Sequence, residues 1–100
     1  PSATHSRLIE VLREAREFLA RPGNDFVWSS WDSRDDALRQ LDSFITRIEA
    51  GDIPTRMDLT LLFAPTGNIQ EVAESSGWGR EFLTLAERFD SAIEMYDNAA

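Results

Sequence analysis

The sequence has no cysteine, no lysine and a single histidine among its 100 residues. Without cysteine there is no disulfide framework, no thiol nucleophile and no thiolate metal site. Without lysine no ammonium can reach a β- or γ-phosphate, and Gly77-Trp78-Gly79 is neither a dinucleotide fingerprint nor a phosphate loop. The histidine, His5, sits at the edge of the first amphipathic segment, where a histidine is expected to be a solvent-exposed bystander and not a general base. None of the serines lies in a Gly-x-Ser-x-Gly elbow. No apolar run approaches the roughly 20 residues of a membrane span, and no basic stretch leads into an apolar one, so the expected partners exclude a membrane and the expected location is cytoplasmic. Taken together these absences read as a protein that is not an enzyme and that uses no cofactor and no metal.

What is present is acid. Eighteen carboxylates face ten arginines, for a net charge of -8, which repels phosphate backbones and makes nucleic acid an unfavourable partner. The imbalance is not uniform. Residues 1–21 carry +1, residues 22–52 carry -4 and the remainder carries -5. Arginine used to the exclusion of lysine is the codon habit of a GC-rich bacterial gene. With 42% hydrophobic residues the chain is too apolar for disorder, and its length suits one domain over residues 1–100.

The apolar pattern is helical almost throughout. Leu8, Val11, Leu12, Ala15, Phe18 and Leu19 recur at spacings of three and four, which predicts a helix over about 6–21, capped by Thr4 or Ser6 and ended at Pro22-Gly23. On its other face Arg7, Glu10, Arg13, Glu17 and Arg21 alternate in sign at the spacing of weak intrahelical ion pairs. Leu38, Leu41, Phe44, Ile45 and Ile48 predict a second helix over about 33–50, with Ser33 and Asp36 in a capping-box arrangement and Gly51 as its stop. Residues 55–63 suit a short helix, although Leu59 to Phe63 would also suit a buried strand that nothing else in the chain could pair with. After the Pro65-Thr66-Gly67 break come a short helix over about 68–76 and a third long one over about 79–97. The expected fold is therefore all-α, a compact bundle of three long and two short helices.

Residues 68–78 and the helix after them resemble the helix-turn-helix of bacterial regulators. Ala73, Gly77, Leu83 and Ala86 stand at its alanine, glycine and apolar positions, and the resemblance implies a DNA-binding use of residues 68–89. Its reading helix would carry Arg80 and Arg88 against Glu81, Glu87 and Asp90, the wrong balance for phosphate.

Two features point instead to a protein partner. Phe26, Val27, Trp28 and Trp31 crowd a long loop next to Asp32, Asp35 and Asp36, and Trp78 lies in a second loop; such aromatics either plug the end of a small core or anchor an interface. Asp90 and Glu94, with Glu87 and Asp97, line one face of the last helix, where like charges repel unless a basic partner compensates them. The expected function is a non-catalytic interaction module for a basic protein, in its most concrete form an immunity- or antitoxin-like neutraliser. The alternatives are the DNA-binding regulator and a structural domain without a ligand.

Overall fold

A computed structural model describes the backbone of residues 3–52 and 54–99, with side chains described between residues 5 and 95. It holds five helices, α1 (Ala3–Ala20), α2 (Arg34–Ala50), α3 (Arg56–Phe63), α4 (Asn68–Ser76) and α5 (Gly79–Ala99), and no strand among the described residues. The all-α expectation holds, and Leu59 to Phe63 is helix rather than strand.

α1 is the axis of the packing. Its stripe of Leu8, Val11, Leu12, Ala15 and Leu19 is fully buried, and it packs against α2 on one side, α5 on another and α4 near its end. α3 and α4 pack against α5, while α2 brings its backbone close to α1 alone among the described residues and meets α3 only through side chains such as Phe44. The core runs through Leu41, Phe44, Ile45 and Ile48 of α2, Leu59 and Phe63 of α3, Ile69 and Val72 of α4 and Phe82, Leu85 and Phe89 of α5. Each of these side chains repays its ordering by about 1.5–3 kcal/mol of apolar burial.

The helix ends correct two expectations. α1 begins at Ala3, so Thr4 and Ser6 lie within it and neither is its cap. Ser33 caps α2, its hydroxyl accepting from the Asp36 N–H at 3.3 Å, but the Asp36 carboxylate does not reach back; it pairs with Arg39 one turn on. Thr55 caps α3 in the same way through the Asp58 N–H. α4 stops at Gly77, whose φ of 88° is the left-handed turn that brings the Trp78 N–H onto the Ala73 carbonyl at 3.0 Å and redirects the chain into α5.

The charged face of α1 departs from expectation as well. Among the described residues none of Arg7, Glu10, Arg13, Glu17 and Arg21 forms an ion pair along the helix; Arg13 turns to α2, and Arg16 and Glu14, outside that set, join it in bolting α1 to its neighbours. Arg16 grips Asp42 of α2 through two bonds of 2.5 and 3.1 Å, Arg13 meets Glu49 of α2 at 2.7 Å, and Glu14 pairs with Arg88 of α5. An i,i+4 pair within one helix is worth only a few tenths of a kcal/mol, so acids on adjacent helices compete with it on equal terms.

Candidate interaction surface

Loop 21–33 is long but closely held. At its start the Asn24 amide donates to the carbonyls of Phe18 and Leu19 at 2.8 and 3.1 Å, satisfying the unpaired end of α1, while its oxygen accepts the Trp78 indole N–H at 2.9 Å. The Trp78 ring stacks on Phe18 with centroids 4.9 Å apart, and the Arg21 guanidinium lies over the Phe18 ring at 4.0 Å from its centroid. Further on, the Asp25 N–H reaches the Ser76 hydroxyl at the end of α4, and the Ser30 N–H and hydroxyl engage Asn68 at its start. The loop thus spans the length of α4 and is fastened at both ends.

Between those fastenings the chain turns sharply. The Ser29 N–H bonds to the Phe26 carbonyl at 3.1 Å, closing a four-residue turn, and the Asp25 carboxylate accepts the Val27 N–H at 3.0 Å. Val27 and Trp28 are the two corner residues of this turn. They are 78% and 70% exposed, the most open large apolar side chains among the described residues. Beside them a groove of about 460 Å³ has Phe26, Asp25 and Asp32 in its lining.

The three tryptophans therefore divide. Trp31 (8% exposed) and Trp78 (4%) belong to the core, each with its indole N–H bonded, to Gln40 at 2.8 Å and to Asn24 respectively. Of the residues expected to form a contact, these two are plugs, and the surface has to be built without them. Trp28 remains as the exposed indole, Phe26 is half-buried beneath the turn, and Asp32 is open beside it. Asp35 is exposed on the first turn of α2, whereas Asp36 is engaged by Arg39. Asp90 and Glu94 are exposed on α5. They do not share a surface with the loop: Trp78, which adjoins it, precedes Asp90 by twelve residues, about 18 Å of helix rise. The single expected contact resolves into two separate places. Asp97 lies outside the described side chains.

Charge follows the same division. Among the described residues Glu14, Asp36, Asp42, Glu49 and Asp52 are in ion pairs with arginines. The hydrogen bond from Arg88 holds the Glu14 carboxyl below its ordinary value of 4.5, against partial desolvation, and the same bond raises Arg88; the bond to Asp42 likewise raises Arg16. By contrast Glu71, Glu74, Glu81, Glu87, Asp90 and Glu94 on α4 and α5 have no ion-pair partner among the described residues. No group of three potential metal ligands and no helix long and apolar enough to cross a membrane occurs among the described residues.

In the helix-turn-helix segment, Ala73 is buried, Gly77 makes the turn and Ala86 is half-buried, but Leu83 is open to solvent where that motif needs an inward contact, and Arg88 is turned to Glu14. No protein-family profile, curated protein or solved structure matches the chain.

Sequence reasoning passed over one element of the surface. Val27 and Trp28 are set apart from Phe26 and Trp31 by the turn alone, and the signal for it was Asp25, two residues before an N–H that an aspartate side chain can accept.

Proposed function

We propose that this protein is a non-catalytic interaction module that docks a basic protein through the Val27–Trp28 turn. The observation that carries the reading is an indole left 70% exposed on a turn that is fastened to α4 on both sides. Folding does not require that exposure, because the other two indoles fill the ends of the core. A rigid aromatic in a held conformation gives contact area at little ordering cost, the property that places tryptophan among interface hot spots. The chemistry of the partner follows from Asp25 and Asp32 beside the turn and from the net charge of -8: an arginine or lysine side chain gains from the open indole face and from the flanking carboxylates together. A neutraliser of a cationic, phosphate-binding protein is the most concrete form of this reading.

The test is affinity capture from the native host with the wild-type chain and with Trp28→Ala, at low and high salt. A cationic protein that is retained by the wild type, released by salt and lost with Trp28→Ala supports the reading. Identical capture by both chains, a salt-insensitive partner or no partner overturns it.

A further inference from the structure

The second place separated from the loop lies where α3, the α3–α4 turn and α5 meet. Here a cleft of about 280 Å³ is lined by Phe63, Pro65, Phe82, Leu83, Ala86 and Phe89, with Asp90 at one end. Its floor is the stacked pair Phe63 and Phe89, 4.3 Å between ring centroids and both buried. Leu83 stands on the rim, 57% exposed.

The turn that forms one wall is unusually constrained. Thr66 has a φ of 62°, a left-handed conformation that a β-branched residue adopts only under tertiary constraint, and its N–H is held by the Gln70 side chain. At Gly67 a Cβ would lie 2.8 Å from the Leu61 carbonyl oxygen and 2.9 Å from that of Ala64, so only glycine lets the chain pass this close to α3. The wall is thereby fixed, and the cleft stays open instead of closing over its apolar floor. At this volume, just below the roughly 300–1,000 Å³ of small-molecule pockets, it suits a side chain or two.

Charge identifies the occupant. Asp90 lines the cleft, Glu94 follows it one turn on along α5, and neither has an ion-pair partner among the described residues. A second copy seated across the cleft would bring these carboxylates toward their own counterparts. We infer that the α3–α5 cleft receives a bulky apolar side chain from a cationic amphipathic helix, whose arginines or lysines then face Asp90 and Glu94. This rests on the reading that the partner is basic, and it adds a contact whose acidic end, at Asp90, lies about 18 Å of helix rise beyond Trp78.

The probe is an 18-residue leucine–lysine amphipathic peptide titrated into the isotope-labelled 100-residue chain and followed by amide chemical shifts. The shifts are expected to concentrate at Thr60, Ala64, Leu83, Ala86 and Asp90. Leu83→Ser and Asp90→Asn, both solvent-facing and so compatible with the fold, each weaken binding by about five- to tenfold, and a peptide with serine for leucine but unchanged charge binds at least about tenfold more weakly. Melting curves of the two variants that overlay the wild type confirm that the loss is one of contact. Shifts scattered over the acidic surface, equal binding of the serine peptide, or a concentration-dependent dimer abolished by Leu83→Ser would each overturn the inference. Trp28→Ala leaves this titration unchanged, so its failure and the failure of the loop reading are separable.

Discussion

Trp78 and Trp28 both lie between helices, and the structure treats them in opposite ways. Trp78 is stacked on Phe18, bonded through its indole N–H and closed off from water. Trp28 lies on the corner of a turn with most of its surface wet. Their neighbours account for the difference: Asn24 offers Trp78 a half-buried acceptor, while the Asp25 carboxylate and the Ser29–Phe26 bond aim Trp28 outward. An indole is drawn into a core where its N–H finds a partner there.

The sharpest test of that contrast is a pair of truncations followed by urea unfolding. Trp78→Ala is expected to cost about 3–5 kcal/mol, as for other large buried aromatics, and Trp28→Ala less than about 0.5 kcal/mol. Equal losses would break the comparison. Acrylamide quenching gives the same contrast optically, since replacing Trp28 by phenylalanine should remove most of the quenchable emission. Next in size is Asn24→Ala, which frees the α1 carbonyls and orphans the Trp78 N–H; about 2 kcal/mol is expected in the same unfolding experiment. Loss of one fastening by Asn68→Ala should cost about 1 kcal/mol and raise the amide exchange rates of Val27 and Trp28.

The smallest effect is that of pH. Because the Arg88 bond lowers the Glu14 carboxyl, its contribution is present above about pH 4.5 and is lost as pH falls through the lowered value. Both groups are close to half exposed, which limits the contribution to a few tenths of a kcal/mol. Glu14→Gln should therefore lower the melting temperature slightly at pH 7 and leave it unchanged at pH 2.

The helices were legible because their signal is local. Leu8 to Leu19 and Leu38 to Ile48 state their buried faces by spacing alone, and Ser33 and Thr55 state two of the starts. The charge ladder on α1 was misleading for the complementary reason: Arg13 turns to Glu49, distant in sequence, and the pairs of Arg16 with Asp42 and of Glu14 with Arg88 lay outside the ladder, since periodicity within one helix is blind to all three partners. The same holds for the aromatic loop. Its composition suggested a site, but the sorting of Trp31 and Trp78 from Trp28 depends on Gln40, Asn24 and Ser76, which only the assembled fold brings near. The α3–α5 cleft left less trace still, because Leu83 has the spacing of a core residue and becomes a rim only once the Ala64–Gly67 turn stands opposite it.

The loop's attachment to both ends of α4 also bears on how the molecule opens. A helix of nine residues is too short to persist alone, and here its first residue and its last are each bonded to the same strap of chain. The strap cannot lift without releasing Asn68 and Ser76, nor can α4 unwind without freeing residues 25–30. Loop and helix consequently form one cooperative unit, and a partner that clamps the Val27–Trp28 turn would slow amide exchange deep in α4, at Val72 and Ala73, without touching either residue.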